Sequence, residues 1–161
     1  MDTNSPYYRQ VRLLTRILPI VAQEECFALK GGTAINLFVR DLPRLSVDID
    51  LVYLPMDDRD TALKNITAAL DRIAAAILQA MPDAKIIKSF EMQADALRLF
   101  VTQAGERIKI ELSPVLRGSV FPAELREFSP RVEEQFGYVE MPLLSFPDLY
   151  AGKLCAALDR Q

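Results

Sequence analysis

Val11, Leu14, Ile17, Leu18 and Val21 recur at the three-to-four-residue spacing of one helix face. Ser5 followed by Pro6 offers an N-cap and a proline at the first helical position, so the pattern predicts a first helix over about residues 6–24, bent at Pro19. Phe27-Ala28-Leu29 then forms a short apolar run that meets Lys30-Gly31-Gly32-Thr33, which reads as a buried strand entering a tight turn. Ala34 to Val39 can continue as a short helix until Pro43 breaks it. Beyond it, Val47 to Tyr53 alternates apolar with polar before Pro55, as a half-buried strand does, and this alternation puts Asp48 and Asp50 on one face.

Ala62, Ile66, Ala69, Leu70, Ile73, Ile77 and Met81 make a single stripe, predicting a long amphipathic helix from Asp57 to Ala80 that covers one side of a sheet. Acidic residues near its start suit the positive end of the helix dipole. Three strands are expected next, at about Lys85–Met92, Ala96–Thr102 and Arg107–Leu112, the last two joined through Gln103-Ala104-Gly105-Glu106 as a hairpin or meander. The proline-punctuated stretch from Pro114 to Pro142 shows no assignable period. Ser145-Phe146-Pro147-Asp148 opens a last helix that runs through Leu158. The order of elements describes an α+β or mixed α/β fold.

Composition narrows the chemistry. The 161 residues are half apolar and a quarter charged, enough for one domain with a real core. No apolar run is long enough to span a membrane, and Met1-Asp2-Thr3-Asn4-Ser5 has no signal-peptide character, so a cytoplasmic protein with no membrane association is expected. Cys26 and Cys155 lie far apart without CxxC spacing and read as buried thiols. The absence of histidine excludes Ser/His and Cys/His catalysis and imidazole metal sites. Carboxylates and lysines must carry any reaction. A net charge of −3 makes the chain as a whole no attractor for nucleic acid, although a local basic face is compatible with it.

Asp48 and Asp50, at i and i+2 on a strand, bring two carboxylates close enough to repel unless a cation lies between them, and hard oxygen ligands of this kind favour Mg2+ or Mn2+. Taken alone, the pair reads equally as a solvated strand face. The Gly31-Gly32-Thr33 segment upstream offers backbone N–H groups and a hydroxyl to a phosphate, or is an ordinary turn. In Lys109-Ile110-Glu111 the two charged side chains share a face, so Glu111 can complete a three-carboxylate cage or simply form an exposed ion pair with Lys109. Lys153, on the last helix, can reach a nucleotide phosphate as a point charge or remain solvated.

The stretch Phe27-Ala-Leu-Lys-Gly-Gly-Thr-Ala-Ile-Asn-Leu-Phe38, followed by Pro43-Arg-Leu-Ser-Val-Asp-Ile-Asp-Leu51, resembles the AbiEii/AbiGii toxin family of nucleotidyltransferases, within the DNA polymerase β-like superfamily. Lys109-Ile110-Glu111 looks like the family's K-x-[DE] motif, and Asp148 through Lys153 matches its D-x-x-x-x-K motif. The resemblance implies a nucleotidyltransferase fold, a mixed twisted sheet flanked by helices. It implies metal binding by Asp48, Asp50 and Glu111, with Lys153 as a further catalytic residue. Nucleotide contacts are implied for Lys30, Gly31, Gly32, Thr33, Arg44, Ser46 and Lys109. The cofactor would be Mg2+ or Mn2+, the substrate an NTP, and the acceptor a tRNA hydroxyl, with a protein side chain or an aminoglycoside-like small molecule behind it. The biology implied is that of a toxin in a toxin–antitoxin or phage-defence pair, with a cognate antitoxin as partner. Family members continue past an Ala-Leu-x-x-Arg segment, here Ala157-Leu158-Asp159-Arg160, into a helical region, so a single nucleotidyltransferase domain without that region is expected over 1–161. The other function class compatible with the residues is a non-catalytic nucleotide- or partner-binding module.

Overall fold

The computed structural model describes residues 2–41 and 46–160; Arg44, expected near the nucleotide, lies outside the described residues. Helix α1 (Pro6–Val21) begins where the sequence places it: the Ser5 hydroxyl accepts from the Tyr8 amide, and Pro6 occupies the first turn. It ends at Val21 rather than Glu24 because the chain there folds into tight turns, Gln23 N donating to Ile20 O and Glu24 N to Val21 O.

Strand β1 (Phe27–Lys30) runs directly into helix α2 (Gly31–Ala34), which continues as a π-helical turn over Ile35–Val39. The expected turn at Gly31-Gly32-Thr33 is therefore the N-terminus of a helix. Strand β2 (Ile49–Tyr53) follows, then α3 (Arg59–Ala80), capped by the Asp58 carboxylate on the Thr61 amide. Strands β3 (Lys85–Lys88), β4 (Arg98–Gln103) and β5 (Glu106–Leu112) form the expected meander. Ala104 and Gly105 both have positive φ, the signature of the two-residue turn whose twist matches a hairpin. The unassigned stretch contains β6 (Glu124–Glu127), α4 (Pro130–Phe136) and β7 (Glu140–Leu143), before α5 (Phe146–Leu158).

The seven strands among the described residues join one mixed sheet in the order β3-β4-β5-β2-β1-β7-β6. The β2–β5 and β1–β7 pairs are parallel and the remaining pairs antiparallel. This is the mixed α/β plan expected from the order of elements. Helices α1 and α3 lie on one face: Arg9 and Arg16 of α1 reach Glu106 and Gln103, and Lys88 of β3 pairs with Asp71 of α3. Leu99, Val101, Ile108, Ile110 and Leu112 point into that layer and are buried with Leu14, Ile17, Ile66 and Leu70. Burial of each such side chain contributes about 1.5–3 kcal/mol. The opposite face of β3–β5 is open to solvent, with Ile87, Arg98 and Arg107 exposed and Phe100, Lys109 and Glu111 partly so. No helix among the described residues is long and apolar enough to cross a membrane.

Candidate active site

Residues that oppose each other across a ladder project from the same face. The register pairs Arg98 with Glu111, Glu111 with Asp50, and Asp50 with Lys30, so one row of four charges crosses β4, β5, β2 and β1. Two carboxylates occupy its centre and one cation each end. Asp48 stands just before β2, with its carboxylate 3.7 Å from Lys109 Nζ, and the same ammonium lies 3.8 Å from Glu111. Arg98 Nε donates to Glu111 Oε2 at 2.5 Å. Burial, then the nearby negative charges of Asp48 and Glu111, push the Asp50 carboxyl above the usual carboxylate range, only partly offset by Lys109 and Lys30. The part of this rise that comes from Asp48 and Glu111 would be relieved by a cation shared among the three carboxylates.

Gly31 closes the row from the β1 side. Its φ of +79° is a left-handed conformation, and a Cβ there would stand 2.7 Å from Asp50 Oδ2. The backbone thus lies against the Asp50 carboxylate. Gly32 approaches Ser46 as closely, since a Cβ on it would meet the Ser46 hydroxyl at 3.0 Å. No side chain caps the four-residue helix that starts here, so its first N–H groups have no side-chain partner. Thr33 is fully buried; its hydroxyl donates to the Asp48 carbonyl at 2.5 Å and shares a hydrogen bond with Ser46 at 3.2 Å. The structure therefore gives Thr33 and Ser46 to the backbone that presents Asp48.

The other wall is α5. Asp148, in its first turn, accepts from the amides of Val120 and Phe121 and from the Ser145 hydroxyl, fastening the 113–123 segment to the start of the helix. Burial raises its pKa, but those three hydrogen bonds outweigh burial and hold it below the ordinary value. Lys153 and Arg160 follow on the same helix and its end. Between this wall and the charge row lies a cavity of about 610 Å³, lined by Gly31, Gly32, Asp50, Glu111, Arg98 and Lys153 among others. Such a volume suits a ligand of nucleotide size.

The model of the family described as "Nucleotidyl transferase AbiEii toxin, Type IV TA system" matches residues 12–161. The chain belongs to the AbiEii family. Among solved structures it is similar to MenT4, a nucleotidyltransferase toxin from Mycobacterium tuberculosis H37Rv, with a TM-score of 0.64 and 18% identity over 96% of this chain. It spans 54% of the length of that protein. No curated protein matches the sequence. At this identity the likeness to MenT4 concerns the fold, which is that of a nucleotidyltransferase, as the resemblance implied.

Within this AbiEii-family fold the expected residues divide into groups. Lys30, Gly31, Gly32, Asp50, Glu111 and Lys153 line the cavity; Asp48 and Lys109 adjoin it through the charge row; Thr33 and Ser46 lie behind Asp48. Hard carboxylate oxygens and the raised Asp50 pKa suit a divalent ion. Among the described residues, however, no three acidic, cysteine or histidine side chains stand close enough to share one ion. Lys109 and Arg98 hold the carboxylates instead. Sequence reasoning missed Arg98, although the signal was present: a two-residue turn at Ala104-Gly105 fixes Gln103 opposite Glu106, and counting outward puts Arg98 opposite Glu111. Arg160 also lines the cavity; the sequence marks it only as the end of the Ala-Leu-x-x-Arg segment, with no role in the site.

Proposed function

We propose that this AbiEii-family chain transfers a nucleoside monophosphate from an NTP to an acceptor hydroxyl, releasing pyrophosphate, with a tRNA end as the acceptor. The observation that carries the reading is the row Arg98–Glu111–Asp50–Lys30 with Gly31 pressed against Asp50 on the wall of a nucleotide-sized cavity. Asp48, Asp50 and Glu111 are the residues that would hold Mg2+ or Mn2+. When bound, such an ion supplies charge neutralisation for the triphosphate and a lowered pKa for the attacking hydroxyl.

The chain's own groups do the rest. The helix start at Gly31 and Gly32 brings backbone N–H groups toward the phosphates, with Lys30 and Lys153 as point charges beside them. Thr33 and Ser46 fix the backbone of Asp48, and Asp148 fixes the start of the helix that carries Lys153. In the cell this activity would make the protein a cytoplasmic toxin held in check by a cognate antitoxin.

A second reading has one observation in its favour: Glu111 and Asp48 are already neutralised by Arg98 and Lys109, as in a module that binds a nucleotide without turning it over. Incubation with Mg2+, each labelled NTP and total tRNA separates the two. Transfer of label by the wild type, abolished in Asp48→Ala and Asp50→Ala, is the expected result. Binding of NTP without transfer to any acceptor would sink the enzyme reading.

A further inference from the structure

We infer that the open face of β3–β5 is the surface on which a single-stranded RNA end lies as it enters the site, an inference that rests on the nucleotidyltransferase reading above. The faces are fixed by the ladders. Ile87 pairs with Phe100 and Phe100 with Lys109; Lys85 pairs with Thr102 and Thr102 with Arg107. These residues therefore project from the same face as Arg98 and Glu111, away from α1 and α3.

Charge separates this face from the rest of the molecule. The chain as a whole carries −3, but here Lys85, Arg98, Arg107 and Lys109 stand with Glu111 as the one carboxylate on these three strands' open side. The face also has an apolar centre: Ile87 is 51% exposed, and Phe100 is partly exposed with the Arg107 guanidinium 4.1 Å above its ring centroid. Ile87 and the part-exposed Phe100 ring together leave an apolar spot on the sheet face that a flat group can cover. An aromatic ring and an arginine layered among cations is the combination on which unpaired bases stack while the phosphates between them are neutralised. Arg98 and Lys109 are engaged with Glu111 and Asp48. That leaves Lys85 and Arg107 on either side of Phe100 to meet phosphates, and a polyanionic partner with planar groups fits that arrangement better than a protein acceptor.

Continuity with the site fixes the direction. Lys109 and Glu111 are two residues apart on β5, about 7 Å along the strand. A base stacked at Phe100 and Arg107 thus leaves the next nucleotide's hydroxyl beside the carboxylate row. Duplex RNA, whose bases are already stacked, has no use for the platform.

The experiment is fluorescence anisotropy of a short labelled single-stranded RNA and of the same sequence as a duplex, with a fluorescent ATP analogue measured in parallel. Arg107→Ala and Lys85→Ala alter exposed side chains, and Phe100→Leu keeps the apolar volume while removing the ring. Phe100→Leu and Arg107→Ala are expected to weaken single-strand binding roughly tenfold, Lys85→Ala less, with duplex and ATP-analogue binding unchanged. Single-strand affinity unaltered in both Phe100→Leu and Arg107→Ala overturns the inference, as does wild type that binds no single-stranded RNA. If label transfer to RNA is lost in Asp50→Ala but indifferent to Phe100→Leu and Arg107→Ala, this surface is wrong and nucleotidyl transfer stands. If the variants weaken RNA binding while no NTP is bound or transferred, the surface stands and the catalytic reading fails.

Discussion

Arg98 of β4 and Glu111 of β5 face each other across the hairpin, guanidinium Nε to carboxylate Oε2 at 2.5 Å. The pair sits at the edge of the cavity with Arg98 half exposed, so its guanidinium occupies one oxygen of a carboxylate that a divalent ion would need. Lys109 contributes a second cation to the same oxygen at 3.8 Å. Together they offset part of the repulsion among the three carboxylates; burial, with the repulsion that remains, raises the Asp50 carboxyl pKa.

Removing the guanidinium should therefore ease ion binding. Arg98→Ala is expected to tighten Mn2+ binding up to about fivefold, the scale of a part-exposed ion pair, as read by titration calorimetry, and to weaken NTP binding through loss of a cavity-lining cation. Unchanged affinity for both would mean that the pair is only a cross-strand contact.

Gly31 and Gly105 offer a matched comparison, because both have φ near +80° but only one has a neighbour. Gly105→Ala should cost about 1 kcal/mol, the backbone penalty alone. Gly31→Ala adds a Cβ 2.7 Å from Asp50 Oδ2, so the carboxylate or the helix start must shift. Its expected cost is about 2 kcal/mol or more in urea unfolding, with label transfer lost. Equal stability losses would show that the backbone beside Asp50 has room to spare.

Much of this was legible in the sequence for reasons the structure makes plain. Ser5-Pro6 and Ser145-Phe146-Pro147 are local helix-start signals, and each is followed by a helix. The strict alternation of β4 and β5 survives because one face packs on α1 and the other meets solvent. Asp48, Asp50, Gly31 and Glu111 were legible as a group only through the family motif, since the fact that β2 and β5 are neighbours depends on a crossover no local pattern records. The stretch after Pro114 resisted reading for different causes. Strand β6 is an edge strand, Glu124-Leu-Arg-Glu, with three residues exposed and none buried, and β7 carries Pro142 within it. Helix α4, only seven residues long, carries too short a stripe to show a period. Thr33 shows the same limit on a smaller scale: that its hydroxyl donates to the Asp48 carbonyl follows from tertiary packing, which its place after two glycines does not record.

Asp50 should trade stability for function. Its carboxyl pKa is raised by burial and by Asp48 and Glu111, so the folded state binds a proton more readily than the unfolded chain, and stability falls as pH rises through the interval above the ordinary 3.8. Asp50→Asn removes that charge. The variant is expected to melt higher, by the equivalent of about 0.5–2 kcal/mol, to lose the wild type's decline over that interval, and to be inactive in transfer. A lower melting temperature at neutral pH would show that Asp50 is held by favourable contacts rather than strained by its neighbours.

Asp148 behaves with the opposite sign. Hydrogen bonds from Phe121 N, Ser145 Oγ and Val120 N outweigh burial and hold its pKa below the ordinary 3.8, so its contribution is complete above that value and is lost as pH falls through the lower, folded one. What is lost is local, because the carboxylate ties an exposed segment to the first turn of α5. Amide hydrogen exchange followed by NMR between pH 5 and about pH 2 should show Val120 and Phe121 losing protection at the acid end while core amides such as Ile110 keep theirs. Asp148→Asn should leave both amides poorly protected across the whole range and weaken NTP binding, since the start of the helix bearing Lys153 is no longer fixed. Protection at Val120 and Phe121 that is indifferent to both pH and the substitution would mean that the segment is held by other contacts, and that the aspartate is free to serve the site directly.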